Sequence, residues 1–208
     1  MSHLSLLAAF VAMLVWSAWR PHDYPTWLME SFPAIVGAVV LLATWRRFRL
    51  TNLLYGLLFA HAVILCVGGK YTYALSPPFA WLQSTFGLER NYYDRLGHFA
   101  QGFVPALLAR EILVRRSPLR PGGWLSFTVI SFCLALSACY EFVEWWAALL
   151  LGQGADAFLG TQGDPWDTQW DMFMCLVGAS IAVAAFSGLH DRALRRLGVH
   201  YGPAGASG

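Results

Sequence analysis

The chain has 208 residues, of which 57% are hydrophobic and only 12% are charged. That charged share is about half of the share in an ordinary soluble domain, and a small soluble surface cannot bury ten tryptophans and fourteen phenylalanines. Composition therefore excludes a soluble enzyme, a disordered chain and a nucleic-acid-binding protein, whereas the formal net charge of +2 says little, because in membranes the distribution of charge matters more than its sum. The composition predicts an integral membrane protein surrounded by a lipid bilayer.

Apolar segments, taken in chain order, predict six membrane-spanning helices. A spanning helix needs about 20 mostly apolar residues. We predict spans at about residues 3–19, 31–45, 51–68, 94–114, 124–150 and 165–187. The predicted fold is an all-α bundle of six transmembrane helices, formed by a single domain of residues 1–190, with a flexible cytoplasmic tail at 191–208.

Two of the predicted segments need comment. The first apolar run has no Lys or Arg before it, so we interpret it as the first span and not as a cleaved signal peptide. The longest linker, residues 69–93, contains Pro77-Pro78 and several aromatic residues, and we predict a short helix there in the membrane interface.

The arginines predict the orientation of these spans. Three clusters follow spans two, four and six: Arg46, Arg47 and Arg49; Arg115, Arg116 and Arg120; Arg192, Arg195 and Arg196. All three fall on the same side of a six-span protein, and positively charged loops stay in the cytoplasm. We therefore predict that both termini are cytoplasmic. Ten of the twelve carboxylates fall in the outer half of the membrane or outside it.

Three spans contain polar residues at helical spacing. These residues are Asp94 and His98 in span four, Glu141 and Glu144 in span five, and Asp167 and Asp171 in span six. Residues three or four apart share a helix face. Because spans four and six start outside and span five ends outside, all three pairs are predicted at one level of the outer leaflet. An ionised carboxylate at mid-membrane costs about 2.5–3.5 kcal/mol on insertion scales, so a cation or water should offset that cost.

The residue types favour a divalent metal site. One imidazole and several carboxylates suit a divalent cation in a mixed nitrogen and oxygen shell, and such a cation can activate water or polarise a phosphate. The predicted metal ligands are Asp94, His98, Asp167 and Asp171, and the predicted catalytic carboxylates are Glu141 and Glu144, one of them as general base. The substrate would be a lipid or a lipid-linked envelope precursor, reached from the outer leaflet.

Two other functions stay open. The same carboxylates suit a carrier or binding protein for a cation, a proton or a small solute, which would need polar residues continuing toward the cytoplasm. The polar cluster also suits a non-catalytic membrane scaffold that only holds three helices together. A scaffold predicts a protein partner for every carboxylate and no cavity that opens outward.

Some of the same residues also suit local structural roles. Asp164 is a candidate N-cap of span six, with Pro165 as its first helical residue and Asp167 as the capping-box partner. Glu141 or Glu144 is a candidate for an ion pair with Arg90 or Arg95. Gly97, Gly102, Gly160 and Gly163 are predicted to serve tight turns and close helix packing.

Three sequence motifs resemble those of a known family. They are Tyr93-Asp-Arg-Leu-Gly-His-Phe-Ala-Gln-Gly102, Tyr140-Glu-Phe-Val-Glu-Trp145 and Leu159-Gly-Thr-Gln-Gly-Asp-Pro-Trp-Asp-Thr-Gln-Trp-Asp-Met172. The stretch that contains them resembles the YjdF family of bacterial inner-membrane proteins. That resemblance implies a multi-pass protein of the bacterial inner membrane. It implies no reaction, because the function of the family is unknown.

The order of the polar residues is also similar to that of VanZ-like membrane proteins. The corresponding positions are Asp94, His98, Glu141 and Asp171, followed by Gly178. This similarity implies a connection with cell-envelope lipids and with resistance to teicoplanin. The chain differs from the VanZ-like pattern in its second glutamate, Glu144, and in the long Gly160–Asp167 loop.

Overall fold

The computed structural model describes residues 3–151 and 161–199. Within these ranges all regular secondary structure is helical, and there is no β-strand. Its helices are α1 (His3–Ala18), α2 (Tyr24–Thr44), α3 (Asn52–Tyr71), a 3-10 helix (Tyr73–Leu75), α4 (Pro77–Phe86), α5 (Tyr93–Arg116), α6 (Gly123–Leu151) and α7 (Asp167–Arg196). The predicted all-α class is confirmed. The short helix expected in the 69–93 linker is present as α4.

Four of the described helices, α2, α3, α6 and α7, are long and apolar enough to cross a membrane. Helix α1 is apolar but has 16 residues, just below the usual length of about 17–25 residues. Helix α5 has 24 residues and carries buried charged side chains such as Asp94, Arg95 and Glu111. Length and composition thus identify four candidate spans, and the count of six stays a prediction.

Helix α2 begins seven residues before the predicted start of its span. The carboxylate of Asp23 accepts the Thr26 N–H at 2.8 Å, which caps the helix, and Pro25 occupies its first turn. Hydrogen bonding to Thr26 lowers the pKa of Asp23 below its ordinary value. The earlier start places Glu30 inside the helix, where it is buried.

Helix α7 differs from its predicted span at both ends. The prediction that Asp164 caps it with Pro165 as first residue is wrong, because its N-cap is Trp166. Asp164 instead accepts the Trp166 N–H at 2.9 Å. The helix continues past residue 190 to Arg196, and Leu194 is fully buried. Residues 152–160 of the predicted loop and 200–208 of the predicted tail lie outside the described residues.

Contacts between the ends of the helices define two opposite ends of the bundle. Arg115 donates to the backbone carbonyl of Arg49 at 2.6 Å, and Arg110 pairs with Asp191 at 2.6 Å. These contacts bring the three arginine clusters to one end, which we call the arginine-rich end. At the other end, Lys70 donates to the carbonyl of Trp19 at 2.5 Å.

Helices α5 and α7 approach each other most closely at two glycines. A Cβ atom on Gly102 would overlap the backbone carbonyl of Cys175, and a Cβ atom on Gly178 would overlap the carbonyl of Phe99. The two backbones therefore touch, as they do at small-residue interfaces between membrane helices. The predicted packing role of Gly102 is confirmed.

A buried network centred on Glu111 joins three helices at the arginine-rich end. Its fully buried carboxylate accepts from the Thr51 N–H at 3.0 Å, from Arg115 at 2.7 Å and from His190 Nε2 at 3.1 Å. The other imidazole nitrogen, His190 Nδ1, lies 3.1 Å from Arg110. A guanidinium can only donate, so Nδ1 accepts and Nε2–H donates to Glu111. The network ties the start of α3 to α5 and α7.

Candidate functional site

Five of the six predicted site residues meet near the end of the bundle opposite the arginine-rich end. They form two groups that share His98, and in each group the candidate ligand atoms lie within 4.8 Å of one another. One group is Asp94, His98 and Asp171, and the other is His98, Glu141 and Glu144. Helices α5, α6 and α7 each contribute, as the helical spacing in the sequence predicted.

The imidazole of His98 lies between two carboxylates. Its Nε2 is 3.4 Å from Asp94 Oδ1 and 3.6 Å from Asp171 Oδ1, and all three side chains are buried. Its Nδ1 is also buried and has no hydrogen-bond partner in the described ranges. His98 thus has one nitrogen facing acidic oxygens and one that is free to bind a further group.

Asp167 belongs to neither group, because two arginines bind its carboxylate. Its Oδ1 lies 2.8 Å from Arg90 Nη1 and 2.6 Å from Arg95 Nη2. Asp164 contacts the same guanidinium groups at 3.1 and 3.2 Å. Arg95 also pairs with Asp171, so the arginines link the loop before α7 to the site.

The prediction that Glu141 or Glu144 pairs with Arg90 or Arg95 is wrong. The ion pairs of both arginines go to aspartates of α5, α7 and the loop before α7: Asp94, Asp164, Asp167 and Asp171. The aspartates are the closer partners because Arg90 lies three residues before α5 and Arg95 in its first turn, and both contact Asp167 at the start of α7.

Glu141 is the least satisfied polar group of the site. Glu141 is only 7% exposed, and its carboxylate pairs with no arginine or lysine among the described residues; the side chain of Thr168 on α7 offers it a weak hydrogen bond outside ordinary geometry. A buried carboxylate without a cationic partner is costly unless it is neutralised or binds a cation. The arrangement around Glu141 and His98 therefore has capacity for one more positively charged group.

A cavity of about 1120 Å³ reaches this cluster from the interior of the bundle. At its polar end it is lined by Glu30, Asp94, His98 and Glu144, and most of its remaining wall is apolar. Glu30 is a site residue that the sequence prediction missed, because the second span was started at residue 31. The helix-start signal of Asp23 and Pro25 would have placed Glu30 inside the span.

Tyr73 also lines the cavity, and two glycines make room for its ring. A Cβ atom on Gly68 of α3 or on Gly97 of α5 would overlap that ring. Thr72, just before it, has a φ of 59°, an uncommon value that turns the chain out of α3. The predicted packing role of Gly97 is confirmed, and it serves to place a tyrosine beside the polar end.

Comparison with known proteins identifies relatives of the chain but gives it no activity. Residues 2–192 match a family described as predicted membrane protein, DUF2238. The chain is 55% identical over 187 residues to the inner membrane protein YjdF of Escherichia coli (strain K12), which covers 90% of each chain. No solved structure matches. The resemblance to the YjdF family is confirmed, and the similarity to VanZ-like proteins stays a prediction.

Proposed function

The chain belongs to DUF2238, a family of predicted membrane proteins, and we propose from the geometry of its polar site that it is a divalent-metal-dependent hydrolase or transferase for a lipid or lipid-linked substrate. Like its relative, it is an integral protein of the bacterial inner membrane. The observation that supports a metal site most strongly is the buried carboxylate of Glu141, which has no arginine or lysine partner among the described residues and lies within reach of His98 and Glu144.

The proposed ligands are drawn from the two groups around His98. A nitrogen of His98 and carboxylates from Asp94, Asp171, Glu141 or Glu144 make a mixed shell that suits divalent Mn, Fe, Zn or Mg. A cation there would offset the surplus of negative charge on the buried carboxylates. Asp167 is no longer a proposed ligand, and its ion pairs give it the role of holding Arg90 and Arg95 in place.

In the proposed reaction the cation and a glutamate carboxylate would have different roles. A bound divalent ion would polarise a phosphoryl or carbonyl oxygen and lower the pKa of a bound water. Glu141 or Glu144, whichever is not a ligand, would accept the proton of the attacking water or hydroxyl group as general base. Tyr73 and Tyr140 line the same cavity and can donate hydrogen bonds to a substrate.

The two alternatives are less well supported. A carrier would need a polar path toward the arginine-rich end, whereas the cavity wall in that direction is mainly apolar and is interrupted by few polar groups, such as His61. A scaffold would satisfy every carboxylate, whereas Glu141 has only a weak contact with Thr168 and no arginine or lysine partner among residues 3–151 and 161–199.

Metal analysis of the purified protein tests the proposal. We expect stoichiometric Mn²⁺ after loading and dialysis, and we expect His98→Ala and Glu141→Gln each to weaken Mn²⁺ binding by more than about tenfold, because the first removes the imidazole shared by both groups and the second removes a negative charge beside it. The measurement is elemental analysis together with a Mn²⁺ titration followed by electron paramagnetic resonance.

Matched controls lie outside the cluster. His22→Ala and Glu89→Gln change one exposed residue each and are expected to leave Mn²⁺ binding as in the wild type. The metal proposal fails if the wild type binds no divalent cation, or if both site variants fold and retain wild-type affinity.

We also propose that α1, α2, α3, α5, α6 and α7 all span the membrane, with both termini in the cytoplasm. Support comes from the three arginine clusters at one end of the bundle and from the positive-inside rule. Helix α1 reaches that end as well, because His3 bonds Asn52 at the start of α3, at 3.0 Å.

Fusions to alkaline phosphatase test this topology, because the reporter needs disulfides that form in the periplasm and not in the cytosol. Fusions after His22 and after Glu89 are expected to be active. Fusions after Arg47 and after Arg120 are expected to be inactive, and immunoblots check that all four are expressed. Activity at either arginine position would contradict the proposed orientation.

A further inference from the structure

The cavity opens sideways, through the apolar middle of the bundle. The lining side chains that are between 41% and 58% exposed include Phe32 and Val36 on α2, and Leu136 and Val143 on α6. Helix α2 packs against α1 and α3, whereas α6 packs against α5 and α7, so the mouth lies between two sets of helices. A mouth with apolar rims at this depth faces lipid chains and not water.

The cavity is long as well as wide. Its lining on α2 runs from Leu28 to Leu42, which spans about 21 Å at a rise of 1.5 Å per residue, and Trp45 just past the helix continues it. The hydrocarbon core of a bilayer is about 30 Å thick. A volume of about 1120 Å³ lies above the range of about 300–1,000 Å³ that suits ordinary small ligands. These dimensions suit an extended hydrocarbon chain.

The polar end of the cavity determines which head group such a hydrocarbon chain can carry. Glu30, Asp94 and Glu144 line that end, while the guanidinium of Arg95 is occupied by aspartates. This surplus of carboxylates repels an anion when no cation is bound. A bound divalent cation would offset most of this negative charge, and it would attract a phosphate by coordinating one of its oxygens directly.

We infer that the cavity binds one phosphate lipid, which enters sideways between α2 and α6 and places its chain along α2 and its phosphate at the Glu30 end. The inference rests on the proposed function, because the divalent cation attracts the phosphate. It identifies the substrate class of the site as a phosphate lipid taken directly from the bilayer.

Two glycines offer a matched pair of variants. Gly37 lines the cavity, and a Cβ atom there would meet nothing within 4 Å, so Gly37→Phe projects a ring into the cavity. Gly56 on α3 has the same freedom but does not line the cavity. Gly56→Phe therefore controls for adding a large side chain to a membrane helix.

The experiment is native mass spectrometry of the full chain with oleoyl lysophosphatidic acid and Mn²⁺. Wild type and Gly56→Phe are expected to retain the lipid. Gly37→Phe is expected to bind it about tenfold or more weakly, because the ring occupies the space of several methylene groups. Thermal unfolding of both variants confirms that they fold.

Two further probes separate chain from phosphate. Monoolein keeps the chain without phosphate, and glycerol phosphate keeps the phosphate without the chain; each is expected to bind more weakly than the lysolipid. Equal binding of the lysolipid to wild type and Gly37→Phe would overturn the inference, since the lipid would then lie on the outer surface. Equal binding of monoolein would overturn the assignment of the phosphate.

The failure of this inference is distinguishable from the failure of the proposed function. Lysolipid binding that depends on Gly37 but not on Mn²⁺ would overturn the metal-dependent function and support the sideways lipid site. Stoichiometric Mn²⁺ without Gly37-dependent lipid binding would overturn the lipid site and support the metal site.

Discussion

Gly102→Ala is expected to lower the free energy of unfolding by about 3 kcal/mol, the upper part of the usual range for overpacking. The added methyl group would overlap the backbone carbonyl of Cys175, and a backbone cannot rotate away as a side chain can. Relief therefore requires α5 and α7 to separate, which would also move His98 away from Asp171. The measurement is thermal or denaturant unfolding in detergent, followed by circular dichroism.

Gly56→Ala is the control for this prediction. Its new methyl group meets nothing within 4 Å, and alanine is more favourable than glycine within a helix by about 0.5–1 kcal/mol. This variant is expected to be as stable as the wild type or more stable. If Gly102→Ala and Gly56→Ala unfold at the same midpoint, the close contact of α5 with α7 is not as described.

Glu111→Ala is expected to destabilise the protein by about 3–5 kcal/mol, the cost of breaking a buried ion pair from one side. The substitution leaves His190, Arg115 and the Thr51 N–H without their shared acceptor. Glu111→Gln is expected to lie between this variant and the wild type, because its amide keeps one acceptor oxygen but presents an N–H to donors.

The matched control is Glu89→Ala, which removes an exposed carboxylate. It is expected to change stability by no more than about 0.5 kcal/mol. The measurement is the unfolding midpoint of Glu111→Ala, Glu111→Gln and Glu89→Ala in one detergent. A Glu111→Ala protein as stable as Glu89→Ala would contradict a structural role for the network.

Helical periodicity explains how much of the site could be predicted. The pair Asp94 and His98 and the pair Glu141 and Glu144 lie on single helix faces, and antiparallel neighbours place their outer ends at one level. Spacing along one helix therefore predicted which side chains converge. It could not predict the partners of Asp167, because Arg90 and Arg95 are more than 70 residues away in sequence.

The sequence predicted the fold class, but it did not predict where the helices begin or which distant residues join them. Apolar length predicted where helices lie, the structure confirms the all-α class, and the family and the relative identify a membrane protein. The start of α2 at Tyr24 depends on a cap and a proline, which hydropathy does not register. The contact of Glu111 with His190 joins residues 79 apart, and no local pattern reports such a pair.

The cavity mouth between α2 and α6 has a consequence for any work with purified protein. Detergent tails have the same access to an apolar, sideways opening as lipid tails, so a detergent acts as a competitor for the cavity. The apparent affinity for a lipid will then fall as the concentration of detergent rises, by ordinary mass action. Lipid binding measured in micelles would therefore understate the affinity of the proposed site, and lipid nanodiscs would remove this competition by detergent.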